Sequence, residues 1–386
     1  SSDGYSHIFI AQEMAPEENM DKLLSLMGGI QRVINRNDIV IIKPNAQWWN
    51  QGTTNTDLIK AFIDAVLSIK GFDGEIIIAE NTHYTKPRGW ATDERNGQFN
   101  LNELVAFYNE SGIGRVSKYH WRDAGPNPEP KEGDDAYNGF GSVEEGRDGY
   151  IWREDLVYTA PNGRRVMMTY PVFTSSYSGT QIDFKAGAFR SGKPTGQKIT
   201  FISFSQLNHH SGYAGMTGSV KNYMGVVDMT CGFHGSTPSG YYNTHFVGMN
   251  SLHWRFLHLL SKMGIKDHHI HNFEYTGGAL GYFMRNIRIA DLHIMDAEYV
   301  GWGSRTDIKL RTRAKTVLAS TDPVMLDWYG GKEILLPITK TAIGSRHLAF
   351  LHDPTDPSGP IFKFLKECHR QGIGNFDERL IQIHQA

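Results

Sequence analysis

The sequence predicts an α/β protein with a mainly parallel sheet and flanking helices, arranged in two lobes with an antiparallel hairpin insertion. Short β-rich runs alternate with helical periods over the first hundred residues, and the same alternation returns in the final third. An Asn-Gly turn separates two apolar runs near the middle. We therefore expect an α/β lobe at 1–117, a loop-rich and hairpin insertion at 118–197, and a second α/β region at 198–386 that returns to the first lobe.

Apolar periodicity predicts the elements of the first lobe. A continuous apolar run suits a strand covered on both faces, whereas apolar residues at helical spacing indicate an amphipathic helix. Thr56 or Asp57 is expected to cap the second helix, and Gly71 is expected to end it. The other expected elements are strands at 7–11, 38–42 and 75–79 and a helix at 18–34.

Local turn and cap signals predict the later elements. Pro161-Asn162-Gly163 predicts a hairpin between the apolar runs that flank it. Residues 198–204 have the pattern of a buried strand that leads into Asn208-His209-His210. Asp322 followed by Pro323 predicts the start of a helix. The remaining expected elements are a helix at 251–263 and strands at 287–295 and 316–319.

The composition excludes several classes of protein. Of 386 residues, 40% are hydrophobic and 21% are charged, and the formal charge is -2 without a long run of either sign, so nucleic acid is not an expected partner. No apolar stretch has the length of a membrane span, so membrane insertion is not expected. Two cysteines, Cys231 and Cys368, are too few for a disulfide scaffold or an iron–sulfur cluster. The absence of an initial Met leaves a cytoplasmic and an exported location equally open.

The segment 208–225 is the first candidate for a ligand site. It reads NHHSGYAGMTGSVKNYMG, and its glycines, Gly215 and Gly218 among them, allow the backbone to approach a ligand closely. Small residues before a helix leave N–H groups for an anion, and Lys221 at the helix start is a candidate nucleophile or base. We expect Asn222 to join Gly215 and Gly218 in binding. The alternative is a glycine-rich surface turn with a solvated lysine.

Histidines are concentrated in one part of the chain, where nine of the 17 lie between His209 and His271. Neutral imidazole is a common metal ligand, and Asp228 adds an oxygen donor, so zinc, nickel or iron is a candidate cofactor. The expected metal ligands are His209, His234 and Asp228. The alternative is that these histidines are hydrogen-bonded structural or surface residues.

Two more clusters of polar residues follow predicted strands. Lys43-Pro44-Asn45 follows the second strand, and the segment from Glu80 to His83 follows the third. Ligands bind beyond the carboxyl ends of strands in open α/β sheets, so we expect Lys43, Asn45 and Glu80 to bind a small anionic molecule at the edge that also carries His209. The alternative is that Lys43 and Glu80 form an ion pair that closes the sheet edge.

Three motifs span most of the chain. They are Val40-Ile41-Ile42-Lys43-Pro44-Asn45, Thr217-Gly218-Ser219-Val220-Lys221-Asn222-Tyr223-Met224-Gly225 and Ala319-Ser320-Thr321-Asp322-Pro323-Val324-Met325-Leu326-Asp327. In content and order they resemble the bacterial and archaeal family labelled domain of unknown function 362. The family has no established general activity, so this resemblance implies a relationship and no reaction.

Two segments are also similar to motifs of the nickel-pincer lactate racemases. They are the sequence AENTH, which ends at His83, and the His-His pair at 209–210 with the glycines that follow it. The resemblance implies that His83 and His210 are paired acid/base groups, that Lys221 attaches the cofactor, and that His234 is a metal ligand. Lys221 lies several residues later than the lysine of the racemase loop.

Two functions from different classes follow from these observations. One is an enzyme, similar to a racemase or another metal-dependent enzyme, that binds a small anion and uses histidine acid/base chemistry. The other is a non-catalytic protein that binds partners or assembles with itself through the aromatic and glycine-rich region 119–177. A homo-oligomer is compatible with either function.

Overall fold

The computed structural model describes residues 3–81, 94–121, 148–151, 155–227, 241–242, 244–249, 272–343 and 346–385. Within these ranges the chain forms a sheet of nine strands, a sheet of five strands and a two-stranded hairpin. The predicted α/β class with a mainly parallel sheet is confirmed. None of the helices in these ranges combines the length and apolar character that a membrane span requires.

The strands of these sheets vary widely in length. In chain order they are β1 (Ser6–Gln12), β2 (Ile39–Pro44), β3 (Glu75–Glu80), β4 (Val116–His120), β5 (Gly149–Ile151), β6 (Val157–Thr159), β7 (Arg165–Met167), β8 (Tyr170–Thr174), β9 (Gln181–Asp183), β10 (Gly187–Arg190), β11 (Lys193–Pro194), β12 (Ile199–His210), β13 (Gly215–Thr217), β14 (Leu292–Gly301), β15 (Arg311–Ser320) and β16 (Ile381–Gln385).

The helices range from single turns to three and a half turns. In chain order they are α1 (Pro16–Leu26), α2 (Thr56–Leu67), α3 (Leu101–Glu110), α4 (Ser211–Ala214), α5 (Ser219–Asn222), α6 (Glu274–Asn286), α7 (Pro323–Tyr329), α8 (Leu336–Ile343), α9 (Arg346–Leu351) and α10 (Pro360–His369), and a π-helical turn (Gly330–Leu335) joins α7 to α8.

The large sheet brings distant parts of the chain side by side. Its order is β16-β1-β15-β14-β12-β2-β3-β4, and β13 pairs with the end of β12. Ile202 of β12 lies opposite both Ile42 of β2 and Leu292 of β14, and all three strands run in the same direction. Strand β3 is parallel to β2, so the carboxyl ends of β2, β3, β12 and β14 meet at one edge.

Two hydrophobic clusters cover the two faces of this sheet. Ile39 and Ile41 of β2 belong to the cluster that includes helices α6 and α10. Val40 and Ile42 belong to the cluster that includes helices α1, α2 and α3. Side chains alternate between the two faces of a strand, so the continuous apolar run supplies both clusters. The prediction of a strand buried on both faces is confirmed.

The first two helices differ in detail from the prediction. Helix α1 ends at Leu26 because Gly28 and Gly29 adopt φ values of 85° and 96°, in the left-handed region that stops a helix. The predicted cap of α2 was wrong: Asn55 Oδ1 accepts hydrogen bonds from two backbone N–H groups of the first turn, at 3.0 and 3.2 Å. The helix ends at Leu67, four residues before the predicted stop.

The later turn and cap signals are confirmed by the structure. The Asn-Gly hairpin is confirmed as β6 and β7, with Gly163 at φ 79°. Asp322 caps α7, because its Oδ1 accepts hydrogen bonds from the N–H groups of Val324 and Met325 at 2.9 and 3.0 Å. Strand β12 is longer than predicted and continues to His210. The helix predicted at 251–263 lies outside the described residues.

Candidate functional site

The ends of strands β2 and β3 and helix α5 meet around a buried ion pair. Lys43 Nζ lies 2.9 Å from Glu80 Oε2 and also donates to the Pro44 carbonyl oxygen at 2.9 Å and to Asn222 Oδ1 at 2.5 Å. These three acceptors use all the hydrogens of the ammonium group. The side chains of Lys43 and Glu80 are 2% and 1% exposed. The ion pair that the sequence offered as an alternative is therefore formed.

The partners of Lys43 are themselves fixed by hydrogen bonds. Glu80 Oε2 accepts a hydrogen bond from the Ala46 N–H at 3.1 Å, and Glu80 Oε1 accepts one from the Asn81 N–H at 3.2 Å. Asn222 Nδ2 donates to the Lys43 carbonyl oxygen and to Ser203 Oγ, both at 3.0 Å. Asn222 thus ties β2 to β12.

Burial is the main influence on the pKa of both charged groups. It raises the pKa of Glu80 to about 7, although Lys43 acts in the opposite direction, and it lowers the pKa of Lys43 despite the attraction of Glu80. Each charge therefore depends on the other for compensation. Loss of one partner would leave a buried charge without a counterion.

Gly225 packs directly against the ion pair. A Cβ atom at this position would lie 1.7 Å from Glu80 Oε1 and 2.5 Å from Lys43 Nζ, so no larger residue fits. Gly225 is the last residue of the predicted ligand segment 208–225 but is not one of the predicted site residues. Its partners lie more than a hundred positions earlier in the chain, and no local pattern indicates them.

An open pocket lies at this edge of the sheet, and the space in it, open solvent included, is about 410 Å³. Five of the predicted site residues line it: Lys43, Asn45, Glu80, Lys221 and Asn222. They come from three segments that are remote in sequence, as the convergence of strand ends predicted. The pocket is where the chain brings its candidate ligand-binding groups together.

Asn45 holds the turn after β2 in the wall of this pocket. Its Oδ1 accepts a hydrogen bond from the Gln206 N–H at 2.9 Å, and its own N–H donates to Thr54 Oγ1 at 2.8 Å. The side chain therefore fixes the turn to the middle of β12, which gives the pocket a rigid wall.

Lys221 is partly buried and lines the pocket from α5. Its Nζ lies 5.6 Å from the centroid of the Tyr213 ring, a cation–π contact. Within the described part of the chain, this amine has no hydrogen bond and no ion pair. Burial lowers the pKa of Lys221 to about 7, with further lowering by Arg305 and then Lys43, while Glu80 acts in the opposite direction.

Arg305 is a pocket residue that sequence reasoning missed. It lies in the loop between β14 and β15, and its guanidinium carbon is 4.4 Å from the ring centroid of Trp48, which also lines the pocket. Strand β14 is parallel to β12, so its carboxyl end opens at the same edge. A position just after this strand would have indicated Arg305. The predicted strand ended at residue 295, however, and the observed one continues to Gly301.

His210 lies close to Lys221, at the end of β12. It is 8% exposed, and its ring centroid is 5.5 Å from that of Tyr213, the ring that Lys221 also contacts. Its Nδ1 has no hydrogen-bond partner among the described residues. Burial, followed by the charges of Lys221 and Arg305, keeps the pKa of His210 well below the usual value, so the imidazole is neutral at neutral pH.

His209 belongs to a separate chain of hydrogen bonds. Its Nε2 accepts from the Ser211 N–H at 3.1 Å, so the neutral ring carries its proton on Nδ1 and donates to His352 Nε2 at 2.9 Å. His352 Nδ1 in turn donates to Thr339 Oγ1 at 2.7 Å, and Thr339 donates to the Leu335 carbonyl oxygen at 2.7 Å. In this arrangement neither ring nitrogen of His209 keeps a lone pair for a metal.

Both histidines of this chain stay neutral. Burial lowers the pKa of His209 to about 4, and Arg305 and His347 add to the effect. Burial likewise lowers the pKa of His352 to about 3, and His209 and His347 add to it. Charging either ring would place a cation beside other cationic groups in a buried region.

The two predicted ligand-binding glycines have packing roles. A Cβ at Gly218 would lie 2.4 Å from Asp327 Oδ1, and the Asp327 carboxylate accepts hydrogen bonds from the N–H groups of Ser219 and Val220 at 2.5 and 2.9 Å. The anion that the small residues favour is thus a side chain of the protein itself. Gly215, at φ 74°, packs against Ile361, where a Cβ would lie 2.4 Å from Cγ1.

The predicted metal site is only partly covered by the structure. His83, Asp228 and His234 lie outside the described residues. Among the residues that are described, no group of three or more His, Cys, Asp or Glu side chains is placed to hold a metal ion. A metal at this site stays a prediction.

A family model matches the part of the chain that carries the later residues of the site. Residues 188–332 match the model of the family described as a domain of unknown function (DUF362). The matched segment includes Lys221, Asn222 and Arg305, whereas Lys43 and Glu80 lie before it. No curated protein and no solved structure matches the chain. The match supports the resemblance to that family, and the likeness to the lactate racemases stays a prediction.

The ion pair predicts a non-additive double-mutant cycle. Lys43→Met leaves the Glu80 carboxylate buried without its cation, and we expect a loss of about 3–5 kcal/mol in the free energy of unfolding. Urea denaturation should be carried out well above pH 7, because removal of Lys43 raises the pKa of Glu80 further above its value of about 7. The double variant Lys43→Met/Glu80→Leu removes both charges and should lose less than Lys43→Met alone.

An exposed pair provides the matched control for this cycle. Arg36 and Asp73 are 65% and 55% exposed and lie 3.5 Å apart, so Arg36→Met should cost less than about 1 kcal/mol. Additive losses in the double variant of the buried pair would show that Lys43 and Glu80 do not compensate each other's charge.

Gly218→Ala is expected to destabilise the protein by about 1–3 kcal/mol, because the new Cβ overlaps with a carboxylate that two N–H groups hold in place. Gly149→Ala is the matched control, since no atom of the described residues lies within 4 Å of its Cβ position, and it should change stability by less than about 0.5 kcal/mol. Thermal denaturation of both variants tests the difference. Equal stability of the two variants would argue against the packing role of Gly218.

His352→Gln is expected to change how stability depends on pH. The pKa of His352 is about 3 in the folded protein and near 6.5 when unfolded, so its neutral form contributes stability that is complete above pH 6.5 and lost as pH falls. The stability difference between wild type and variant should therefore shrink from about pH 7 to about pH 4. Urea titrations at a series of pH values measure it, and a constant difference would refute the assignment of a low pKa.

Proposed function

We propose that the protein is an enzyme that binds a small organic anion in the sheet-edge pocket and uses Lys221 to move a proton. One observation carries the proposal: a partly buried amine lines the pocket and, among the described residues, has no acceptor. Lysines in buried positions are normally paired, as Lys43 is in the same wall. An anionic ligand would supply the missing partner.

The charges in the pocket wall favour an anion. Among the described lining residues, three are cationic, Lys43, Lys221 and Arg305, whereas Glu80 is the one carboxylate. Glu80 is already neutralised by Lys43 at 2.9 Å. The remaining positive potential, held in a cleft with low-dielectric walls, attracts and orients negative groups.

The proton chemistry favours Lys221 over His210. A general acid or base is most effective when its pKa lies near the working pH, and the pKa of Lys221 is about 7. The pKa of His210 is well below its usual value, so His210 is a weak base and supplies a neutral hydrogen-bonding ring. The pairing of His210 with His83 stays a prediction, since His83 lies outside the described residues.

Anion binding should depend on the charge of Lys221. The ammonium form predominates below pH 7, so affinity for a small carboxylate such as pyruvate or lactate should fall as pH rises, approaching about tenfold per pH unit above the pKa. Lys221→Met should lose at least about tenfold in affinity at pH 6, the worth of one charged hydrogen bond. Isothermal titration calorimetry measures both effects.

Lys193→Met serves as the control, because Lys193 is exposed on β11 and distant in sequence from every pocket residue named above. Its affinity for the carboxylates should equal that of the wild type. Catalysis is tested by exchange of carbon-bound hydrogen beside the carboxylate with solvent deuterium, followed by NMR. Unchanged affinity and exchange in Lys221→Met would refute the proposal, and would leave binding or self-assembly through residues 119–177 as the better hypothesis.

A further inference from the structure

The pocket wall holds two lysines in contrasting environments. Lys43 donates to three acceptors, so its nitrogen is held as an ammonium group and has no lone pair to offer. Lys221 has a contact with the face of the Tyr213 ring and, within the described residues, no acceptor at all. An amine without an acceptor is free to use its lone pair once it loses a proton.

We infer that Lys221 forms an imine with the carbonyl group of an anionic substrate, such as a 2-oxo acid, while Arg305 binds the carboxylate of that substrate. This inference rests on the anion-binding function proposed above and specifies its substrate class. Arg305 lines the same pocket, and its guanidinium is held over the Trp48 ring at 4.4 Å. A planar guanidinium is well suited to bind a carboxylate through two hydrogen bonds.

The reaction balances without an oxidant or a reductant. The lone pair of Lys221 Nζ attacks the carbonyl carbon, a C–N bond forms, and the carbonyl π electrons move to the oxygen, which takes a proton. Loss of that oxygen as water then gives the C=N bond. In total the amine gives up its two hydrogens and the substrate gives up its carbonyl oxygen, and one water molecule leaves.

The groups that face Lys221 support this role. Lys43 on β2 and Arg305 after β14 oppose a further positive charge, Glu80 at the end of β3 favours it, and His210 on β12 is neutral. With burial, their net effect lowers the pKa of Lys221 to about 7, so a large fraction of the amine is uncharged at neutral pH. An ordinary surface lysine is almost entirely protonated under the same conditions.

The same charges predict selectivity for anionic carbonyl compounds. Imine formation with a neutral aldehyde would create a protonated imine beside Arg305 with no added negative charge. A 2-oxo acid brings a carboxylate that compensates this charge at the moment it appears. We therefore expect pyruvate to react much better than propanal, a neutral carbonyl compound of similar size.

Reductive trapping tests the inference. The full chain is incubated with pyruvate and sodium cyanoborohydride near pH 7.5, and intact mass spectrometry follows the product. The expected result is a single addition equal to the mass of pyruvic acid less one oxygen atom, located at Lys221 by peptide mapping. Lys221→Arg keeps the positive charge but should lose the addition, whereas Lys193→Arg on exposed β11 should keep it.

The outcomes separate this inference from the anion-binding proposal. Calorimetric binding of pyruvate without trapping at Lys221 would overturn the imine and leave the anion site standing, whereas absence of both would overturn both. Trapping that is equal for pyruvate and propanal, or that is spread over many lysines, would also overturn the inference. Unfolding curves of both variants must match the wild type. Arg305→Met should reduce trapping of pyruvate at least tenfold and so remove the preference for pyruvate over propanal.

Discussion

The candidate site depends on the buried ion pair between Lys43 and Glu80. Taking two charges out of water costs several kcal/mol for each, and their attraction offsets this cost only when the remaining hydrogen-bonding groups are satisfied. In this pair they are satisfied, because Lys43 has three acceptors and both oxygens of Glu80 accept hydrogen bonds. One of those acceptors is Asn222, which also bonds to β2 and β12. The pair therefore fixes two strand ends and the helix that carries Lys221.

The ion pair also determines the electrostatics of the pocket. Since Lys43 and Glu80 neutralise each other, the remaining charges on the described lining residues are those of Lys221 and Arg305. Burial lowers the pKa of Lys221, and the like charge of Arg305 lowers it further. Arginine does not release its proton in proteins, so Lys221 is the group that responds. A structural ion pair and a reactive amine are thus two results of one arrangement.

The apolar pattern of the strands and the position of residues at strand ends made part of this site predictable from the sequence. The apolar run of β2 and the position of Lys43 and Glu80 at strand ends were sufficient to place both residues at one sheet edge. The role of Gly218 was not predictable, because a run of small residues indicates available N–H groups but does not show that Asp327, over a hundred positions later, occupies them. His209 is a similar case, since its partner His352 is remote in the chain.

The buried histidines beside the pocket stay neutral, so they do not compete with Lys221 for a proton when an anion binds. His210 and His209 both have pKa values below their usual range, so neither ring takes up a proton near neutral pH. Of these three side chains, Lys221, with a pKa of about 7, is the one whose charge changes there. An anion that binds beside it stabilises the ammonium form and raises its pKa, so binding takes up a proton from solution. A proton held in this way, next to the bound molecule, is available for transfer to it.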